Sequence, residues 1–139
     1  MASKTLYITI AIVVILLAAV AALLLMGGGQ KAFKLGATLP LTGGFSSYAK
    51  LAQCAAQLAI DDLNAEYESK GIKFELYVED TQLDPNIALQ KLQSLYARDV
   101  RAVLAGLTSR EASGMKPFAD QNKIILFSAW STSSLLAIP

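Results

Sequence analysis

The stretch "IKFELYVEDTQLDPNIALQKLQSLYARDVRAVLAGLTSRE", residues 72–111, decides the fold. Its first nine residues alternate apolar and polar side chains, which is typical of a strand with one wetter face. Asp84 then predicts a helix N-cap, and Pro85 fits the first helical position, where its missing N–H costs nothing. Apolar residues at helical spacing follow, and "VRAVLAG" predicts the next strand. Residues 72–111 therefore form one predicted strand–helix–strand unit.

The same alternation extends outward from this unit to both sides. The predicted order is strand 32–39, helix from Ser46 or Ser47 to just before Gly71, strand 72–80, helix from Pro85, strand 100–106, helix 109–123 weakened by Gly114 and Pro117, and strand 124–130. The apolar positions that repeat at helical spacing in the first helix are Tyr48, Leu51, Ala55, Leu58, Ala59 and Leu63. This pattern predicts an α/β fold, a parallel sheet with helices on both faces. The expected strand order is 2-1-3-4, an incomplete doubly wound sheet.

The N-terminal residues differ from the rest of the chain. Leu6–Met26 contains no charged side chain, and only Tyr7 and Thr9 are polar. At about 1.5 Å per residue, a helix of this length spans about 30 Å, the thickness of the hydrocarbon core of a bilayer. We therefore expect a short tip at 1–5, a transmembrane anchor or signal helix at 6–26, and a glycine-rich linker at 27–31. Cleaved signals have apolar runs of about 7–15 residues, so the length favours an anchor.

The composition excludes several classes of function. The sequence has no histidine and one cysteine, Cys54, so Ser-His-Asp and Cys-His catalysis, disulfides and cysteine-based metal sites are excluded. All eleven acidic residues, and all twelve basic residues except Lys4, follow residue 30, so the formal charges of that part cancel. Such a balance provides no basic field for nucleic acid. We expect no enzyme activity, no cofactor, no metal and no nucleic-acid partner.

Three predicted strands end in small hydroxyl residues and glycines. "PLTGGFSSY" follows the first strand, "GLTSRE" ends the third and "SAWSTSS" ends the fourth. In an open parallel sheet, ligands bind outside the carboxyl ends of the strands, near the point where the strand order reverses. Hydroxyls donate and accept hydrogen bonds, glycine lets the backbone approach, and a helix N-terminus offers unpaired N–H groups. A small carboxylate could be held at this edge without lysine or arginine, whereas an α-ammonium group would need the carbonyl and hydroxyl oxygens.

Structural roles compete with binding for the same side chains. Thr108 and Glu111 form the Thr-x-x-Glu pattern of a capping box, so Thr108 is also the predicted cap of the following helix. The two roles are compatible, because one hydroxyl can cap while Ser109 and free N–H groups face a ligand. Tyr48 lies on an apolar helical stripe, which is typical of a core residue. Trp130 follows a strand and precedes a run of hydroxyl residues, so it suits a pocket wall as well as the core.

The segment from about Lys34 to about Leu135 resembles the start of the solute-binding proteins of the branched-chain amino acid ABC transporter family, which have a type I periplasmic binding fold. The matching motifs are "PLTGGFSSYA", "AIDDLN", "EDTQLDP" and "VLAGLTS". The resemblance implies that the turn after the third strand and the segment after the fourth hold the α-carboxylate and α-ammonium of an amino acid. It also implies that an aromatic residue of the first helix lines the site. The corresponding residues are Tyr48, Thr108, Ser109, Ala129, Trp130 and Ser131.

The resemblance also implies a location and partners. We expect an extracytoplasmic, membrane-attached binding component that delivers its ligand to an ABC transporter permease. Family members have two lobes, and residues 32–139 correspond to part of the first, so we expect a truncated product with weak or no affinity of its own. Ala49 replaces a common glycine and Trp130 is bulkier than the usual residue, so the ligand or the pocket is expected to differ. The open sheet edge would expose apolar surface and favour self-association.

Two other classes of interpretation remain open at this point, an enzyme or electron carrier and a structural subunit. "PLTGGFSSY" loosely resembles a flavodoxin phosphate loop, although Pro40 and the loop sequence disagree with that motif. A receiver domain would need a carboxylate where Leu39-Pro40-Leu41 stands. A charged tip before a long apolar helix resembles pilin-like subunits, so the alternative function is a membrane-anchored structural or filament-forming subunit with a degenerate binding domain. Lys4-Thr5 lacks the small residue expected before a pilin-type cleavage site.

Overall fold

The helices and strands follow the alternation predicted from the sequence. The computed structural model describes residues 31–137 and the single residue Ala18. The elements are β1 (Lys31–Leu39), α1 (Ser46–Tyr67), β2 (Ile72–Asp80), α2 (Pro85–Ala97), β3 (Ala102–Ala105), α3 (Ser109–Gln121) and β4 (Ile125–Phe127). Short 3-10 turns at Glu68–Lys70 and Ser134–Leu136 follow α1 and β4.

The strands form one four-stranded sheet in the order β2-β1-β3-β4. β1 pairs with β3 in parallel, with Gly36 opposite Val103, and β3 pairs with β4 in parallel, with Val103 opposite Leu126. The predicted α/β class and the strand order 2-1-3-4 are confirmed. Because the strand order reverses between β1 and β3, the carboxyl ends of these two strands flank the position where open sheets of this kind bind ligands.

Helices cover both faces of the sheet, as the side chains of β3 show. Val103 and Ala105 are buried in a cluster with α2 and α3, whereas Leu104 packs against a second cluster that includes α1. Successive strand residues point to opposite faces, so α1 lies on one face and α2 and α3 on the other. The larger cluster consists of Ala88, Leu92, Leu95, Val100, Val103, Ala105, Met115, Ala119 and Ile124.

A glycine permits the close approach of α3 to the start of α2. A Cβ atom on Gly114 would lie 3.0 Å from the Cβ atom and 3.2 Å from the carbonyl oxygen of Pro85. The helix that was expected to be weakened by Gly114 and Pro117 is nevertheless continuous over Ser109–Gln121. Packing between α2 and α3 therefore outweighs the low helix propensity of these two residues.

The buried face of α1 differs from the predicted apolar stripe. Tyr48 and Leu58 belong to that stripe, yet 62% and 63% of their surfaces are exposed. The helix instead buries Ala49, Ala52 and Ile60. The buried side chains, two of them alanines, pack α1 against β1 and β2. The larger apolar side chains on the flank of the helix stay exposed.

Several element boundaries differ from the prediction; β3 spans Ala102–Ala105 rather than 100–106, and α3 ends at Gln121 rather than at residue 123. β4 ends at Phe127 rather than Trp130, because the Ser128 hydroxyl accepts the N–H groups of Trp130 and Ser131 at 3.3 and 3.1 Å and turns the chain. β1 begins at Lys31, which the sequence placed in the linker.

The predicted N-terminal segments lie almost entirely outside the described residues. This holds for the tip at 1–5, for the anchor at 6–26 apart from Ala18, and for residues 27–30 of the linker. Among the described residues, no helix combines the length and the apolar character needed to cross a bilayer.

Candidate functional site

The turns after β1, β3 and β4 leave the sheet at one edge, because parallel strands end on the same side. Pairing between β1 and β3 continues past the end of β3, where the Gly106 N–H donates to the carbonyl oxygen of Thr38 at 2.8 Å. Gly106 has a φ of +47°, in the left-handed region that glycine adopts without strain. The turn after β3 therefore starts next to the end of β1.

The turn after β3 is a helix cap built around a buried glutamate. Thr108 is the N-cap of α3, and its hydroxyl oxygen accepts the N–H of Glu111 at 3.3 Å. The same hydroxyl donates to Glu111 Oε2 at 2.8 Å, and the hydroxyl of Thr81 donates to Glu111 Oε1. Glu111 is fully buried. The predicted capping role of Thr108 is confirmed, and its single hydroxyl hydrogen is committed to Glu111.

Ser109 joins this turn to the segment after β4. Its hydroxyl oxygen accepts the backbone N–H groups of Thr132 and Ser133 at 3.1 and 3.2 Å. A serine hydroxyl has two lone pairs and one hydrogen, so these two bonds leave the hydrogen for a further partner. Ser109 can therefore donate a hydrogen bond but has no acceptor position left, which suits an anionic oxygen.

Ser131 is also left with a hydroxyl hydrogen to donate, because of its hydrogen bond with Ser128. The Ser128 hydroxyl accepts the N–H groups of Trp130 and Ser131, and its oxygen lies 2.9 Å from the hydroxyl oxygen of Ser131. With both lone pairs occupied, Ser128 has one hydrogen to donate, and the Ser131 hydroxyl at 2.9 Å is a closer acceptor than the carbonyl oxygen of Gly106 at 3.4 Å. The hydrogen of Ser131 is then available to donate to another group.

The first turn of α3 adds backbone donors. The first four N–H groups of a helix have no acceptor inside the helix. Thr108 accepts the N–H of Glu111 at its hydroxyl and the N–H of Ala112 at its carbonyl, so the N–H groups of Ser109 and Arg110 remain for solvent or ligand. The helix dipole adds partial positive charge at this end. Hydroxyl and backbone donors thus gather where a carboxylate could bind.

Ala129 and Trp130 lie in a different groove from Ser131. They line an apolar groove of about 360 Å³ between α1 and the sheet, where Trp130 is 48% exposed. Ser131 lines a groove of about 690 Å³ beside α3, together with Ser128 and Ser133. Trp130 is therefore the wall of a groove and not a core residue, and the end of β4 separates the apolar groove from the hydroxyl groove.

Tyr48 lies in the first turn of α1, next to the end of β1. Its exposed ring lies 6.2 Å from the ring of Phe45, measured between centroids. The hydrogen bonds and ring contacts of the described residues join Ser109 to the segment that contains Ser131, but they do not join Tyr48 to either of them. The site residues predicted from the sequence are therefore brought to one edge, with a direct link only between the turns after β3 and β4.

The end of β2 holds the turn after β1. Asp80 Oδ1 accepts the N–H of Leu41 at 2.9 Å, and Oδ2 accepts the hydroxyl of Thr42 at 2.8 Å. Burial alone raises the pKa of Asp80, but hydrogen bonds from Gln82, Thr42 and Leu41 outweigh it and hold the pKa below the ordinary value of 3.8. The ionised carboxylate thus fixes the loop that leads into α1 and Tyr48.

Sequence reasoning missed two contributors to this edge. Ser128 was placed inside a predicted strand, although a serine directly after an apolar run is also a turn signal. The bond between Thr81 and Glu111 has no local signal, since the two residues are 30 positions apart. In the part of the chain that the structure describes, no cluster of three or more Cys, Asp or Glu side chains could hold a metal ion.

An open parallel sheet with hydrogen-bond donors outside the carboxyl ends of its strands is typical of α/β domains that bind small ligands. A family model described as "Periplasmic binding protein" matches residues 32–137. The chain belongs to the periplasmic binding protein family, which has a solute-binding and non-enzymatic fold.

One relative matched by sequence and two of known structure show how much of the fold this chain contains. An uncharacterized protein of Methanocaldococcus jannaschii is 37% identical over 106 residues, which are 75% of this chain and 25% of that protein. The branched-chain amino acid transporter substrate binding protein LivJ from Streptococcus pneumoniae, solved with isoleucine, is 26% identical with a TM-score of 0.71 over 76% of this chain and 31% of that chain. An ABC transporter solute binding protein from Rhodopseudomonas palustris, solved with 3,4-dihydroxybenzoic acid, is 26% identical with a TM-score of 0.66 over 76% of this chain and 29% of that chain. This chain therefore spans between a quarter and a third of the length of these relatives.

Proposed function

We propose that this chain is the extracytoplasmic ligand-binding part of an ABC importer for branched-chain or related amino acids. In this proposal, the ligand carboxylate binds at the edge formed by the turns after β1, β3 and β4. The observation that carries the proposal is the hydrogen bonding of Ser109, whose two acceptor positions are filled by Thr132 and Ser133 while its hydrogen stays available. Membership of the periplasmic binding protein family supports the same class of function.

The ligands of two relatives favour the carboxylate as the recognised group. One relative was solved with isoleucine and the other with 3,4-dihydroxybenzoic acid. Both molecules carry a carboxyl group, but only isoleucine carries an ammonium group and an aliphatic side chain. A site made of hydrogen-bond donors fits the group that both ligands share. The resemblance of the sequence motifs to branched-chain amino acid receptors favours isoleucine, leucine or valine among the acids.

Each site residue then has a distinct role in the proposed complex. Ser109 and Ser131 donate to the carboxylate, and Thr108 contributes by holding the turn rather than by its committed hydroxyl. Tyr48 lines the edge beside β1. Ala129 and Trp130 provide apolar wall for the ligand side chain, which in this proposal extends past the end of β4 into the apolar groove that they line.

A titration followed by backbone amide NMR tests this proposal on the 139-residue chain. Isoleucine should shift the amide signals of Ser109, Arg110 and Ser131 with a dissociation constant on the order of 1 mM, because a ligand held at a single sheet edge makes few contacts. Isoleucinol is the matched control, since it keeps the side chain and the ammonium group but lacks the carboxylate, and it should leave these signals unchanged. Equal shifts with both compounds, or none with any carboxylate, would refute carboxylate recognition at this edge.

We further propose three associations that the sequence implies. Residues 6–26 would hold the domain at the membrane, and the ligand would pass to a transporter permease. The third association is between copies of the chain through the edge strand β4, where Ile125 and Phe127 are 66% and 54% exposed. An exposed apolar edge strand is a template for pairing, and charge on such a strand blocks it.

Sedimentation velocity of the chain in mild detergent tests the edge association. The wild type should show a concentration-dependent dimer, and Phe127→Lys should be monomeric at the same concentrations. Leu58→Lys is the matched control, because Leu58 is 63% exposed but lies on α1. A dimer that persists in Phe127→Lys would contradict pairing through β4.

A further inference from the structure

The end of β2 is bonded to the start of α3, across the intervening strand β1. Thr81 directly follows β2, and its N–H donates to the carbonyl oxygen of Leu39 at 3.0 Å. Its hydroxyl donates to Glu111 Oε1, and both Thr81 and Glu111 are fully buried. A hydrogen bond between two fully buried groups is costly to break, because the abandoned partner cannot reach water.

Glu111 holds the turn after β3 at two points. Its second carboxyl oxygen, Oε2, accepts the hydroxyl of Thr108 at 2.8 Å. Its Cβ atom packs so closely on Gly106 that a Cβ added to the glycine would lie 3.0 Å away. The side chain therefore restrains both the first and the last residue of the turn that ends immediately before Ser109.

The turn after β2 is itself held in an unfavourable backbone conformation. Gln82 and Leu83 have φ angles of +53° and +62°, in the left-handed region that side chains with a Cβ disfavour. Such residues cost about 1–3 kcal/mol each and persist where the surrounding structure fixes them, often at functional sites. The two residues directly before this pair are both anchored: Asp80 is bonded to the turn after β1, and Thr81 is bonded to Glu111.

We propose that Thr81 and Glu111 are positioning residues for the ligand site, which aim the hydroxyl of Ser109 and the N–H groups of the first turn of α3. Neither side chain touches the ligand, because both are fully buried and Glu111 is occupied by Thr81 and Thr108. The end of β2 thereby sets the geometry of donors that lie beyond the neighbouring strand. The inference rests on the proposed function for its ligand, but its effect on the turn exists in the free protein.

Three substitutions separate positioning from general stability. Thr81→Val removes the hydroxyl at nearly constant volume, Glu111→Gln keeps the size of the side chain, and Thr81→Ser keeps the hydroxyl. The matched control is Asn64→Ala, because Asn64 of α1 also makes two hydrogen bonds to another element, to the N–H and C=O of Phe74 at 2.7 and 3.0 Å, but at the opposite end of β2.

Two measurements on the 139-residue chain give the answer. The first is the exchange rate of the Thr132 and Ser133 amide hydrogens, which are bonded to Ser109. The second is the affinity for isoleucine in the NMR titration. Thr81→Val and Glu111→Gln should each accelerate exchange and weaken isoleucine binding about tenfold, the coupling expected within one hydrogen-bond network. Thr81→Ser should behave like the wild type, and Asn64→Ala should lower the unfolding temperature but leave exchange and affinity unchanged.

The outcomes distinguish this inference from the proposed function. If isoleucine fails to bind the wild type, the proposed function falls, and the exchange rates alone decide the positioning role. If isoleucine binds equally well to wild type and Glu111→Gln, the positioning role is overturned while the proposed function stands. If Thr81→Val does not fold, Glu111→Gln and Thr81→Ser still decide, because exchange in Glu111→Gln no faster than in Asn64→Ala would overturn the inference.

Discussion

Replacing Ser109 with alanine should detach the segment after β4 from α3 while the rest of the domain stays folded. The substitution removes the oxygen that accepts the N–H groups of Thr132 and Ser133 at 3.1 and 3.2 Å. A net hydrogen bond contributes about 1 kcal/mol, but the Thr132 N–H is exposed and regains water, so the two bonds together are worth about 1.5 kcal/mol. Alanine returns up to about 0.5 kcal/mol through its higher helix propensity. The expected net loss in the free energy of unfolding is about 1 kcal/mol.

Urea denaturation measures this loss, and Ser113→Ala serves as its control. Ser113 is an exposed residue of the same helix, so its substitution carries the propensity gain without the lost bonds and should stabilise slightly. Ser109→Ala should also weaken isoleucine binding at least tenfold, because a hydrogen bond to a charged oxygen is worth about 1.5–3 kcal/mol. Equal stability of the two variants would refute the bonding described for Ser109. Unchanged affinity in Ser109→Ala would refute its role as a carboxylate donor.

Three other predictions concern the elements that frame the site. Gly114→Ala should lower the unfolding temperature in calorimetry, because crowding against the rigid Pro85, at about 1–3 kcal/mol, exceeds a propensity gain of about 1 kcal/mol. Asp84→Ala should cost about 1 kcal/mol in urea denaturation, since Asp84 caps α2 by accepting two N–H groups at 2.7 and 3.1 Å. The pKa of Asp80 is lower in the folded chain, so its stabilisation is complete above the ordinary value of 3.8 and is lost as the pH falls through the lower folded value. Asp80→Asn should therefore destabilise by about 1 kcal/mol at pH 7, a value kept small by partial solvent exposure, and the difference from the wild type should shrink as the pH falls through the lowered folded value.

The strand order could be predicted because its signals are local and its rules are general. Asp84 and Pro85 identify the start of α2 by the chemistry of helix caps, whatever the rest of the chain does. Alternation of strands and helices then leaves few topologies, since crossovers between parallel strands are right-handed. The predicted end of β4 was wrong because the Ser128 side chain competes with the strand for the N–H groups of Trp130 and Ser131. Such competition depends on a side-chain rotamer, which periodicity does not contain.

The buried face of α1 could not be predicted from the spacing of apolar residues. Periodicity identifies a stripe, but the sheet decides which flank of the stripe is covered. Ala49 and Ala52 allow the helix axis to approach β1 closely, and this places Leu51 and Leu58 on the flank. Ala55, Ala59 and Leu63 of α1 line, together with Trp130, the apolar groove that we propose for the ligand side chain.

The sequence shows which residues at the binding edge carry hydroxyls. Whether each hydroxyl is left as a donor or an acceptor depends on its tertiary contacts. Thr108 and Ser109 are adjacent and chemically alike, yet the hydrogen of Thr108 is taken by Glu111 while that of Ser109 remains available. The difference arises because two N–H groups more than twenty residues away fill the acceptor positions of Ser109. A hydroxyl-rich turn can therefore favour an anion or a cation only once distant partners have filled the lone pairs or used the hydrogen of each hydroxyl. Here those partners are backbone N–H groups, which can only donate, so the hydroxyl they contact is left as a donor and the edge favours a carboxylate.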